Sequence, residues 1–171
     1  MDTSHAVRAK PSAYRRTYPG NFSLTYGQVN SGNLGSLNKP DRDFLSLSKF
    51  IVPQSGLPPI VMTATINLAS SSVSELWFRC TSRVTVSGIF QQKFEFYDWA
   101  DQEYRQLTTL SLNQGIGNYD VQIGDSQHPL SHFIDTSNNN QVKVKVTIPD
   151  PLLPASSSWS YDIDQAIAIT K

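Results

Sequence analysis

Two histidines, His128 and His132, stand four residues apart, with Asp125 and Asp135 flanking them. On a helix that spacing would bring both imidazoles to one face, where they could share a metal ion. Pro129 lies between them, no glutamate adjoins His128, and no third ligand is implied. Ordinary polar histidines on a loop are the simpler reading. The run Asp135-Thr-Ser-Asn-Asn-Asn140 is rich in oxygen ligands for calcium. It lacks the fixed spacing of an EF-hand, and such a run reads first as a polar surface loop. Asp162 and Asp164 fall on one face of an extended strand and form a candidate carboxylate pair. A pair in which one faces solvent and the other caps a turn is the plainer alternative. No metal and no cofactor are expected.

Nucleophilic chemistry fares no better. The single Cys80 excludes an internal disulfide. Its alternation with Leu76 and Phe78 places it on an inward strand face, where a thiol behaves as a small apolar side chain. No serine sits in a Gly-x-Ser-x-Gly setting. Gly115-Ile-Gly117 lacks the strand and helix that would make it a phosphate loop. Nothing supplies a positioned base and nucleophile, so the chain is read as non-enzymatic. Asn21-Phe-Ser23 fits a glycosylation sequon, which matters only on a secretory route.

The aromatic residues offer more. Trp77, Tyr97, Trp99 and Tyr104 are expected on outward faces or at hairpin ends. Such rings can stack on sugars or anchor a protein interface. They can equally be covered by an arm or loop of their own chain.

These aromatics lie in a stretch, residues 75–110, where apolar and polar residues alternate. Leu76, Phe78 and Cys80 share one face, as do Phe90, Phe94 and Phe96, while Gln91, Lys93, Glu95 and Tyr97 share the opposite face of the second segment. Period two is the mark of a strand with one buried face. Breaks at Ser87-Gly88 and Ala100-Asp101-Gln102 suit hairpin turns, predicting three antiparallel strands in succession. Further strands are predicted over 22–29, 43–52, 60–68, 118–123, 141–148 and 159–170. In the last of these Trp159, Tyr161, Ile163 and Ile167 share a face. One short helical turn fits within 124–134, with Pro129 in its first turn. No helix of ten or more residues is predicted. About nine strands with regular turn signals imply an all-β fold: an antiparallel two-sheet β-sandwich, jelly-roll-like, over residues 21–171.

Residues 1–20 read as a basic extended arm. Arg8, Lys10, Arg15 and Arg16 against Asp2 give it a charge of +3 in a chain whose net charge is zero. Alone such a segment is disordered; its own domain or partner subunits could order it. A neutral molecule gives no electrostatic case for nucleic acid. No apolar run reaches the roughly 20 residues that span a bilayer, and the first ten residues have no apolar core for a secretory signal. The expectation is a chain made in the cytoplasm, or a trimmed fragment with an added start.

Several segments also resemble a known type of domain. Tyr26-Gly-Gln-Val-Asn-Ser-Gly-Asn-Leu-Gly-Ser-Leu37, then Asp43-Phe-Leu-Ser-Leu47, look like the opening of a β-sandwich domain of unknown function found in large secreted bacterial proteins. Gln92-Lys-Phe-Glu-Phe-Tyr-Asp-Trp99 with Tyr104, Phe133-Ile-Asp135 with residues 142–146, and Trp159-Ser-Tyr-Asp-Ile-Asp-Gln-Ala166 follow in the same order. The resemblance spans about residues 24–169. It implies the sandwich fold and brings no active site. This chain, with its basic arm, is expected to depart from those domains by standing alone.

Two functions are weighed. The first is a structural protein of a larger assembly, such as the capsid decoration (cement) protein of a bacteriophage virion. It would be homo-oligomeric and would hold neighbouring protein subunits through Tyr14, Tyr18, Arg8, Lys10, Arg15 and Arg16. The alternative is a carbohydrate-binding or adhesion module of an extracellular or tail-associated protein, with Trp77, Tyr97, Trp99 and Tyr104 as its platform. Neither involves nucleic acid or membrane.

Overall fold

The computed structural model describes residues 14–49, 58–149, 151 and 158–171. Among these the chain forms eleven strands: β1 (Arg15–Thr17), β2 (Asn21–Tyr26), β3 (Gln28–Ser31), β4 (Leu45–Ser48), β5 (Ile60–Asn67), β6 (Leu76–Val84), β7 (Phe90–Asp98), β8 (Glu103–Leu112), β9 (Gly117–Ile123), β10 (Gln141–Ile148) and β11 (Tyr161–Thr170). Single 3-10 turns occupy Leu34–Leu37 and Leu130–Phe133, the latter entered by Pro129. The strands make two antiparallel sheets. The first runs β3-β4-β11-β6-β9, with β1 also paired to β11; the second runs β2-β5-β10-β7-β8. The all-β sandwich expected from the alternation is therefore the architecture observed.

The predicted succession of three strands in one sheet is corrected. β7 and β8 form a hairpin, but β6 belongs to the opposite sheet, paired with β11 and β9. Ser87-Gly88 is part of a crossing between layers. Packing explains it: Phe78 of β6 meets Phe94 and Phe96 of β7 edge to face across the interior, with both centroid separations 5.8 Å. Had β6 and β7 paired edge to edge, these rings would have lain side by side on one sheet.

The strand count differs for a local reason. The segment 22–29 divides at Gly27, whose φ of +96° suits glycine. A Cβ there would lie 3.0 Å from the Ser48 carbonyl oxygen. The chain turns at this point, so that β2 joins one sheet and β3 the other. The residues 43–52 yield only Leu45–Ser48 as strand; residues 50–52 lie outside the described residues.

β11 runs between β6 on one side and β4 and β1 on the other. All ten of its residues are buried. The pairing with β6 shifts between Ile163 and Gln165. This bulge reverses the alternation, so Ala166 and Ala168, not Ile167, follow Tyr161 and Ile163 into the core between the sheets. The expected grouping of Ile167 with those two is corrected accordingly. At the bulge, buried Asp164 accepts the Arg42 N–H at 2.6 Å, holding a turn in which Arg42 has a φ of +68°. Asp162 instead pairs with Arg83 at 3.1 Å. The two carboxylates thus have separate tasks.

Phe78 touches both aromatic residues that cap the opposite layer, and it is 1% exposed. Phe78→Ala is expected to lower stability by about 3–5 kcal/mol, as for buried aromatic truncations generally. Urea unfolding followed by circular dichroism measures it. A loss below about 1 kcal/mol would mean the layers are held elsewhere.

Candidate functional site

The outer face of the second sheet gathers the aromatic residues. Along β7 the inward set is Phe90, Gln92, Phe94, Phe96 and Asp98, so Tyr97 points out. Tyr97 stands opposite Tyr104 in the β7–β8 register, and Trp99 follows at the strand end. Trp99 and Tyr104 flank Tyr97 edge to face, with centroids 4.7 and 5.1 Å away and interplanar angles of 72° and 74°. All three rings are half-buried. Burial pushes the pKa of the Tyr104 hydroxyl up.

β10 supplies the cations. Its alternation buries Val142, Val144, Val146 and Ile148 and leaves Lys143, Lys145 and Thr147 outward. The Lys143 ammonium lies 4.6 Å from the Trp99 ring centroid and 5.4 Å from that of Tyr97. Lys145 lies 4.3 Å from the Tyr104 centroid. Glu95 of β7 accepts both Lys145, at 3.1 Å, and Lys93, at 3.4 Å, on one carboxylate oxygen. Its other oxygen accepts the Thr147 hydroxyl at 3.4 Å. Each exposed cation–π contact contributes on the order of 0.5–1 kcal/mol, and partly exposed ion pairs contribute about 0–1 kcal/mol. These contacts place the lysines without locking them. Across β5 and β2 the same face continues as Thr63, Thr65, Ser23 and Asn21, set beside Lys145 and Lys143 by the strand register. The result is an uncharged hydroxyl and amide apron beside an aromatic and cationic half.

The hairpin end that carries Trp99 and Tyr104 is fixed from below. Asp98 is fully buried. It accepts the N–H groups of Ala100 and Asp101 at 3.0 and 3.1 Å and the Arg105 guanidinium at 2.9 Å. Arg105 also pairs with Asp101 and with Glu103. The Trp99 backbone N–H donates to the His132 carbonyl at 2.7 Å, tying the strand end to the 3-10 turn. His132 also places Nδ1 3.5 Å from Asp98. Asp98 was absent from the site residues expected from sequence. The one signal for it was an acidic residue at an inward position just before a turn.

Trp77 lies elsewhere. It projects from β6 in the first sheet, so the expected four-ring platform is reduced to Tyr97, Trp99 and Tyr104. Glu75, two residues before Trp77, accepts the Tyr14 hydroxyl at 2.6 Å and meets Lys171 at 3.5 Å. The Tyr14 hydrogen bond is the main cause holding the Glu75 carboxyl below its ordinary pKa. Of the arm residues, Arg15 and Arg16 lie in β1, in register with Thr170 and Ile169, and their side chains are exposed. Tyr18 is 41% exposed. Arg8 and Lys10 lie outside the described residues.

The remaining candidates are placed without forming a centre. His128 approaches Asp125, its Nδ1 3.5 Å from that carboxylate, while His132 faces Asp98. Asp135 accepts the Ser137 N–H and hydroxyl at 3.1 and 2.6 Å, organising its own loop. Among the described residues no three His, Cys, Asp or Glu side chains gather as a metal site. Cys80 is fully buried, and burial pushes its thiol up to about 11. It therefore stays protonated and unreactive at neutral pH.

No family model and no curated protein matches the chain. Solved structures do. One, described as "CBM4 structure and function", a carbohydrate-binding module, shares 8% identity at a TM-score of 0.51, covering 92% of this chain and 86% of that one. Another, "BiXyn10A CBM1 APO", shares 13% identity at a TM-score of 0.50, covering 91% of each chain. At such identities the likeness establishes the fold. Both neighbours span nearly the whole sandwich, so the two-sheet architecture is shared end to end.

The Asp98 lock makes a pH prediction. Burial alone would raise its pKa, but the Asp101 and Ala100 N–H groups, Arg105 and His132 together hold it below its ordinary value of 3.8. A depressed folded-state pKa contributes stability that is fully present above the unfolded value and is lost as pH falls through the folded one. The urea midpoint of the wild type should therefore fall as the pH drops from about 5 to below the ordinary value of 3.8. Asp98→Asn should be less stable at neutral pH and show a shallower acid slope. Parallel slopes for the two proteins would remove Asp98 from the acid response.

Proposed function

We propose that the chain is a non-enzymatic carbohydrate-binding module, acting outside the cell, and that it binds glycan on the outer face of its second sheet. The observation that carries this reading is the group Tyr97, Trp99 and Tyr104, half-buried, with Trp99 and Tyr104 each edge to face with Tyr97, on a sheet surface that otherwise offers hydroxyl, amide and ammonium groups and the Glu95 carboxylate. Rings held at fixed angles lose little conformational freedom on binding. They present apolar faces to the C–H side of a sugar, while neighbouring Thr, Ser, Asn and Lys groups can bond its hydroxyls. The fold likeness to carbohydrate-binding modules supports the reading, since the same sandwich serves glycan recognition in those proteins.

A capsid-decoration role draws no support from these neighbours. The described end of the arm is paired with β11 of its own sandwich, which leaves Arg15, Arg16 and Tyr18 as the described arm residues still open to a partner.

A glycan array followed by calorimetry on the best ligand tests the proposal. Trp99→Ala and Tyr104→Ala should each weaken binding by about 1–3 kcal/mol with the circular dichroism spectrum unchanged. Trp77→Ala, on the other sheet, should leave affinity unaltered. An array with no ligand, or equal loss from Trp77→Ala, would sink the assignment of this face.

A further inference from the structure

The charges of the same face narrow the ligand class. Lys93, Lys143 and Lys145 stand there against one carboxylate among the described residues, Glu95, in a chain whose net charge is zero. Glu95 engages Lys93 and Lys145 through the same oxygen, at 3.4 and 3.1 Å. Among the described residues no carboxylate lies within ion-pair distance of Lys143. Its ammonium lies instead over two rings, Trp99 at 4.6 Å and Tyr97 at 5.4 Å from the centroids. The Tyr104 face likewise carries the Lys145 ammonium.

This arrangement treats neutral and acidic sugars differently. The Lys143 and Lys145 ammonium groups lie over these rings, so a neutral sugar that stacks there competes with them for the faces they cover. An acidic sugar need not, because its anionic group takes the ammonium as a partner while its ring lies along the aromatic edge. Partial burial of the lysine stems among the rings also lowers the local dielectric, which strengthens attraction to an anion.

We propose that this face selects an anionic glycan, one bearing carboxylate or sulfate groups, with Lys143 as its principal charge partner. The inference rests on the reading of the face as carbohydrate-binding. It adds that charge, in addition to ring stacking, sets specificity.

The test uses calorimetry on the full chain with four probes: polygalacturonate, its fully methyl-esterified form, dextran sulfate, and oligothymidylate as a non-glycan polyanion. Binding of polygalacturonate or dextran sulfate is expected, the stronger of the two naming carboxylate or sulfate as the group recognised. Esterification should weaken polygalacturonate binding at least about tenfold, and raising salt from about 0.05 M to about 0.5 M should weaken it further. Lys143→Gln should lose about tenfold in affinity, while Lys143→Arg, which keeps the charge, should lose little. If the esterified polymer binds as well as the acid, the charge inference fails and the glycan reading stands. Should oligothymidylate bind as tightly as either glycan, the face is a general polyanion surface and the inference is overturned. If none of the four binds and a neutral-glycan array is also blank, the underlying reading fails as well.

Discussion

The edge-to-face contact of Phe78 with Phe94 and Phe96 constrains the whole molecule. It requires that β6 and β7, neighbours in sequence, lie in different sheets facing one another. Once they do, strict alternation along each strand decides what faces outward. Phe96 turned inward means Tyr97 turned outward. Val144 turned inward means Lys143 and Lys145 turned outward. The candidate binding face is in this sense the reverse side of the core. Moving β7 by one residue would bury Tyr97 and Lys93 and expose the phenylalanines.

Polar groups inside the core add specificity to that arrangement. Gln92 takes an inward position in the phenylalanine run of β7. Its side-chain oxygen accepts the Tyr161 hydroxyl at 2.9 Å and the Ser82 hydroxyl at 3.3 Å, joining β7 to both β11 and β6 across the sandwich. Tyr161 also contacts Cys80, 3.4 Å away. Displacing any of these partners would leave a buried polar group without its hydrogen bond, at a cost of about 1–3 kcal/mol. Apolar packing alone tolerates sliding; this cluster penalises it, and so helps set the register on which the outer face depends.

The alternation made most strands legible in the sequence. Residues 141–148 and 60–67 fold as their period-two pattern predicts, because hydrophobic burial on one face overrides other preferences. Sheet membership was less legible. A Ser-Gly break can serve a hairpin or a crossing between sheets, and only the pairing of distant β11 with β6 decides which. Gly27 and the bulge at Asp164 hid for a related reason: each changes the phase or direction of a strand by one residue, an event that a periodic pattern cannot signal. Tyr97, Trp99 and Tyr104 were found as a group because they are close in sequence on one hairpin. Trp77 was grouped with them wrongly, since outwardness on a strand does not say on which of two sheets. Lys143, Lys145 and Glu95 are not among the site residues expected from sequence, because their contact with the rings depends on β10 lying beside β7.

That last adjacency carries the functional argument. β10 reaches the side of β7 only because β5 and β7 leave it the central place in the sheet. A central strand with two lysines on its exposed face must meet whatever its neighbours project. Here one neighbour projects Tyr97 and Glu95, and the other Thr63 and Thr65. Had both neighbours projected carboxylates, the lysines would be neutralised and the face would serve solubility alone. With one carboxylate shared between two of three ammonium groups, a positive charge is left beside the aromatic corner formed by Tyr97 and Trp99. The strand order, more than any single residue, therefore gives this face both its rings and its unbalanced charge.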